Sequence, residues 1–254
     1  MKTLRRIYVS MVLAFLYIPL AVMVVYSFNA SRYSMVWKGF SLQWYAKLWE
    51  NSALMTAALN SLVVAIGSAT ISTLLGTMMA FALTRWRFPS RKVIGATLFV
   101  MMMSPDIVIG ISLLVLFILA GLPLGFGTLI LAHVTLCVPF VAIVVQGKLH
   151  GFDPHLIEAA RDLGAGDFAV FRHVVVPLVA PAVLAGWFLS FTLSLDDVVI
   201  SFFTTGPTFE VLPLRIYSMV RLGFKPEINA LCTVMIGVTT LAVGIAHRFF
   251  KENS

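Results

Sequence analysis

Six long apolar runs divide the chain, at about 7–28, 55–84, 93–119, 128–147, 178–203 and 228–250. Each has roughly the 20 residues that an α-helix needs to cross about 30 Å of hydrocarbon. An irregular backbone or an open sheet edge would leave polar groups unpaired in lipid, so the pattern predicts helices throughout. The fourth run is the least regular, because His133 and Pro139 interrupt it. The first run follows Lys2, Arg5 and Arg6 and outlasts a cleavable signal segment, so it is expected to remain as a first helix. In the second run Ser61, Ala65, Ser68, Ser72, Gly76 and Ala80 recur at three- and four-residue spacing. Small residues on one face predict a close helix–helix approach.

Composition sharpens this reading. Of 254 residues, 60% are hydrophobic and 11% charged, whereas soluble domains carry about 25% charged residues. Lipid must therefore be the solvent for much of the surface. The expected architecture is an all-α polytopic membrane protein of about six transmembrane helices, forming one membrane domain over 1–254. Cys137 and Cys232 both lie inside apolar runs, as small buried hydrophobes do. The net charge of +7 needs no nucleic acid to explain it. With the N-terminus inside, twelve of the eighteen Lys and Arg residues fall on cytoplasmic stretches, and the short loop Arg85–Lys92 is the clearest marker. Both termini are expected in the cytoplasm.

Enzymatic chemistry finds no foothold. The chain lacks a Gly-x4-Gly-Lys-Ser/Thr phosphate loop: Gly147-Lys148 is followed by Leu149, with Ala142 where the first glycine belongs. No Ser/His or His/Glu metal constellation stands at catalytic spacing, so neither catalytic nor metal residues are expected. Any nucleotide work, with its ATP and Mg, must reside on a partner chain.

Three carboxylates interrupt the apolar runs: Asp106 near the middle of the third, and Asp196 and Asp197 in the outer half of the fifth. Each costs about 2.5–3.5 kcal/mol at a helix centre on insertion scales, and no Lys or Arg lies nearby in sequence. Ser190, Ser194, Asp197 and Ser201 recur at four, three and four residues, a spacing that predicts one polar face lining a hydrated path. Pro105, beside Asp106, is expected to bend its helix and open a recess. The acids can serve a cationic substrate, arginines of a neighbouring subunit, or protons. Among these a flexible polycation fits spaced carboxylates best. His133 reads as a hydrogen-bonded packing residue before a proton relay.

The external loop 29–54 holds Tyr33, Trp37, Phe40, Trp44, Tyr45 and Trp49, either an interfacial aromatic belt or a lip that meets a docking protein or an incoming cation. Trp44, and Glu210 on another external stretch, are candidates for the mouth of the path.

Between the fourth and fifth runs, the loop 148–177 contains Glu158-Ala159-Ala160, three residues, Gly164, nine residues, then Val174-Val175-Val176-Pro177. Asp153 and Pro154 suit a helix start, and Gly164 a left-handed stop. This pattern resembles the loop signature of bacterial type I ABC importer permeases, with Val174 and Val176 in place of the commoner Ile and Leu. The resemblance implies that Glu158, Ala159, Ala160 and Gly164 belong to a coupling helix that seats in an ATPase dimer. Met102–Val108, Phe191–Val199 and Thr205-Gly206-Pro207 further resemble the second permease subunit of spermidine/putrescine importers. That resemblance implies a sister permease, a periplasmic polyamine-binding protein, the bacterial cytoplasmic (inner) membrane, and a polyamine path through Asp106, Asp196 and Asp197. The same build could carry another small solute, and a proton-coupled secondary transporter would use the acids as a relay.

Overall fold

The computed structural model describes residues 2–32, 36–151, 153, 155–221, 226–237 and 240. Its elements are α1 (Lys2–Ser27), α2 (Gln43–Glu50), α3 (Ser52–Arg85), α4 (Arg91–Met103), α5 (Asp106–Leu119), α6 (Phe126–His150), α7 (His155–Asp162), α8 (Asp167–Val170), a π-helical turn (Phe171–Val175), α9 (Val176–Asp196), α10 (Val199–Thr204) and α11 (Leu212–Arg221), followed by α12 over 226–237. No strand occurs among the described residues. Among the described residues four helices, at 4–27, 52–85, 126–150 and 167–196, are long and apolar enough to cross a bilayer, and α4 with α5 makes a fifth if the pair is one span. The part of the sixth run beyond Thr240, together with Tyr33 and Pro154, lies outside the described residues.

The chain forms two units, residues 1–56 with 215–254, and residues 57–214. In the first unit α1 buries almost none of its apolar surface: Phe15 is 79% exposed and Leu4 73%. Such a rod needs lipid or another apolar surface around it. Behind it, Asn29 is buried and orders the loop through its side chain. Its Nδ2 donates to Val36 O at 2.8 Å, and its Oδ1 accepts from the backbone N–H groups of Ser31 and Lys38. Phe28 stacks on Phe40 with ring centres 5.3 Å apart.

The second unit is built around α6. Val141 is the contact point, because both neighbours present glycine to it. A Cβ on Gly76 of α3 would lie 2.7 Å from Val141 Cβ, and one on Gly186 of α9 would lie 3.2 Å from Val141 Cγ1. The small-residue stripe of α3 faces inward as its spacing predicts, with Ala65, Ser68, Ser72 and Ala80 all fully buried. Gly76→Val is expected to destabilise the unit by about 1–3 kcal/mol through overpacking. A fall in the detergent melting temperature of the purified protein checks this.

Three predicted boundaries are corrected. The third run is two helices bent by 112° at Ser104–Pro105 rather than one. Proline disfavours helical geometry in the residue before it, and Ser104 is indeed extended at ψ 138°. Asp106 is therefore the first residue of α5, not a mid-helix acid. The fourth run is a single unbroken helix despite His133 and Pro139. The fifth begins at Asp167, eleven positions before the predicted 178, and ends at Asp196. The π-helical turn ahead of Pro177 carries the rod across the proline, with Val176 N–H donating to Phe171 O. The loop between the fourth and fifth helices thus shrinks from the predicted 148–177 to 151–166.

Candidate functional sites at a broken helix and an exposed loop helix

The apolar helix α9 stops at an acid. Asp197 is extended at ψ 127°, and two residues later α10 starts. Its carboxylate explains the break: Oδ1 accepts the N–H of Ile200 at 3.2 Å, and Oδ2 that of Ser201 at 2.7 Å. These are first-turn donors with no partner inside their own helix, so the acid caps α10. The Asp197 side chain is only 6% exposed.

His133 reaches this break from α6. Its Nδ1 lies 2.6 Å from Ser194 Oγ in the last turn of α9, and its Nε2 3.0 Å from Ser201 Oγ in α10. The same Nε2 is 3.5 Å from Asp197 Oδ2. Ser68 of α3 donates to Ser194 Oγ at 2.9 Å, which brings a third helix into the junction. Ser68, His133 and Ser201 are no more than 1% exposed, and Ser194 is 5% exposed. His133 is thus a hydrogen-bonded core residue. The partner that the local sequence of Asp197 lacks comes from 64 positions away.

The serine stripe folds differently from a single helical face. Ser190 and Ser194 stay on α9, the helix breaks, and Ser201 belongs to α10. Within the chain Ser194, Asp197 and Ser201 point at His133, while Ser190 is fully buried, its carbonyl facing Cys137 Sγ at 3.6 Å.

Asp196 is turned the other way and is exposed, as is Asp106. Asp106 lies four residues before Gly110 and Asp196 four before Ile200, so both acids are within about one turn of chain of the contact between α5 and α10. A Cβ on Gly110 would lie 2.8 Å from the Phe203 ring and 3.5 Å from Ile200 Cα, so only glycine lets the two helices approach this closely. The outcome is an exposed acidic pair beside an inward acid tied to histidine.

Trp44 belongs to the other unit. It is 4% exposed, its Nε1 donates to Asn29 O at 2.7 Å, and the Lys47 ammonium sits 4.7 Å above its ring. The indole packs this loop, with one of its faces already covered by a cation. Trp37, Phe40 and Trp49 are the exposed aromatics of that stretch. Glu210 is half-buried between α10 and α11, and its carbonyl accepts from Asn60 Nδ2 at 2.9 Å.

The loop helix α7 has no buried residue. Its ends are defined by hydrogen bonds instead of by packing. Asp153 Oδ1 accepts from His155 N–H at 3.0 Å, capping the start. At the other end Gly164 adopts φ +81°, its N–H donates to Arg161 O, and Ala165 N–H donates to Ala160 O. That pair of bonds is a Schellman stop. Arg161 then reaches Asp167 at 2.7 Å, tying the loop helix to the base of the long α8–α9 rod. Glu158 and Ala159 are exposed, Leu163 is 89% exposed and Phe168 73%. On its inner side lies an open hollow of about 610 Å³, lined by Ile157 and Arg161 together with Phe81, Arg85, Leu149 and Val175. The helix is a short rigid arm, anchored at its C-terminal end.

Sequence reasoning missed the junction. Its signal was available, since an ionisable residue inside a membrane helix is a site hypothesis with a partner to be named. His133 had no partner within reach in sequence.

The molecule thus combines a buried polar junction inside an apolar helical bundle with a capped arm outside it. The chain belongs to the family of binding-protein-dependent transport system inner membrane components, whose sequence profile matches residues 72–252. It is 50% identical over 252 residues to the spermidine/putrescine transport system permease protein PotC of Escherichia coli K12, covering 99% of this chain and 95% of that one. The putrescine transport system permease protein PotI of the same organism is 42% identical over 238 residues, covering 91% and 83% respectively. Among solved structures, a bacterial ABC transporter that imports alginate superposes with a TM-score of 0.75 at 15% identity, covering 98% of this chain and 96% of that chain. The fold is therefore that of ABC importer permeases, in a multi-pass membrane protein. Its work is transport, without covalent chemistry on this chain.

Proposed function

We propose that this chain is one of two related permease subunits of an ATP-driven polyamine importer. The observation that carries the substrate class is the exposed pair Asp106 and Asp196, with Asp197 behind it, in helices that contribute no Lys or Arg. Carboxylates held apart on two helices suit a flexible chain bearing separated ammonium groups, each a charge-assisted hydrogen-bond donor. An anion path would instead display arginine or lysine. The likeness to permeases of spermidine and putrescine systems supports the same substrate class.

In this reading a binding protein delivers the substrate on the outside, both termini lie in the cytoplasm, and α7 docks on a separate ATPase dimer that holds ATP and Mg. Closure of the ATPases moves α7, and the Arg161–Asp167 link passes the displacement to the α8–α9 rod, whose far end carries Asp196. A rigid helix transmits such a shift along its whole length. Ser190 and Ser194 support the same end of the rod from within, and Glu210 lies on the following connection.

The test is ATP-driven uptake of radiolabelled spermidine and putrescine into proteoliposomes holding the complete importer. Uptake is expected to stop when the ATPase subunit is omitted. Accumulation driven by a proton gradient alone would instead establish a secondary transporter.

A further inference from the structure

Two neighbouring acids on one chain point in opposite senses, Asp197 inward and Asp196 outward, and a reason for that division is visible. The backbone breaks between α9 and α10, and a break in an apolar helix exposes unpaired N–H and C=O groups that favour healing the helix. Were 196–201 continuous, Asp196 and Asp197 would turn by about 100° per residue around one axis. Two things oppose this: the Asp197 carboxylate occupies the N–H groups of Ile200 and Ser201, and the His133 ring spans the gap from Ser194 Oγ to Ser201 Oγ. The Ser194–His133–Ser201 bridge ties the two sides of the break through a third helix. Ser68 closes the set from α3, and its hydroxyl lies 2.6 Å from Val64 O as well.

We propose that His133 is a positioning residue for transport, holding the α9–α10 break open so that Asp197 stays inside and Asp196 faces outward. The inference rests on the proposed acid path and goes beyond it, because His133 itself touches no substrate. The imidazole is suited to this because it has two nitrogens on opposite edges of a rigid ring, so one side chain can serve both sides of the gap. Every group facing it belongs to the junction: Ser68 through Ser194, Ser194 itself, Ser201 and Asp197.

The test compares His133→Ala and His133→Gln in the assembled importer in proteoliposomes. Spermidine uptake and ATP hydrolysis stimulated by loaded binding protein are measured on the same preparation. His133→Ala is expected to lower the uptake obtained per ATP hydrolysed by about tenfold, since small displacements of positioned groups have effects of that order. Hydrolysis itself is expected to persist. His133→Gln, which offers an NH2 donor group and a carbonyl acceptor, is expected to recover the ratio to within about threefold of the parent. A purely structural role lowers uptake and hydrolysis in parallel, and an unchanged ratio in His133→Ala overturns the proposal. Where His133→Ala does not assemble, Ser201→Ala removes only the hydroxyl facing Nε2 and carries the same expectation. Asp106→Asn and Asp196→Asn run alongside: full uptake by both sinks the acid path itself, whereas their loss with an unchanged His133→Ala ratio sinks only the positioning role.

Discussion

Gly164→Val is expected to reduce ATP-driven uptake about tenfold or more while leaving the membrane helices assembled. Gly164 stands at φ +81°, and a Cβ there would meet nothing within 4 Å, so the penalty is conformational and not a clash. An L-residue in left-handed geometry costs about 1–2 kcal/mol, and a β-branched one is a genuine outlier there. α7 has no buried side chain to offset that strain. The expected response is loss of the stop at Gly164, with the last turn of the arm unwinding or running on. Gly164→Asn serves as the control, because asparagine tolerates the left-handed region, and it is expected to retain most of the uptake. Binding-protein-stimulated hydrolysis and uptake, measured together in proteoliposomes, decide the matter. Full coupling in the valine variant would show that the C-terminal geometry of α7 does not transmit the ATPase movement.

The second large effect concerns charge. Asp196→Asn and Asp106→Asn are each expected to lower spermidine uptake by about tenfold or more, equivalent to about 1.4 kcal/mol of lost ion pairing at the least. Both acids are exposed, and asparagine is nearly isosteric, so assembly should be preserved. If the two face the same cation, as proposed, the double variant is expected to fall short of the product of the single effects, as coupled sites do. Effects that multiply independently would place the acids at separate steps. Asp197→Asn belongs to a different class: it weakens the cap on Ile200 and Ser201 and the contact with His133, so it should lower thermal stability as well as transport.

Much of the chain was legible because a bilayer punishes error severely. A run of twenty apolar residues has few fates in lipid other than a helix, and the runs at 55–84 and 128–147 both proved to be long helices. The small-residue stripe on α3 and the left-handed stop at Gly164 were equally readable, since both follow from what a residue without a bulky side chain permits locally. The boundaries were less so. Pro105 was expected to bend a helix, yet the 112° between α4 and α5 depends on where α5 finds space against Phe203 and Ile200. Conversely, Pro139 and Pro177 leave their helices unbroken, because neighbouring packing and a π-helical turn absorb the missing donors.

Sequence alone therefore determined the helical membrane architecture, the isolated acids and the capped arm at Glu158–Gly164, all of which depend on contacts within a few residues or on the hydrocarbon around them. Only the tertiary structure decided that Asp197 turns inward to cap α10 and meet His133, that Asp106 and Asp196 come to flank one contact between α5 and α10, and that Trp44 serves its own loop. Those pairings join residues up to about ninety positions apart, and which polar groups meet is settled by the close approach of whole helices at single glycines, a geometry that no local pattern of side chains encodes.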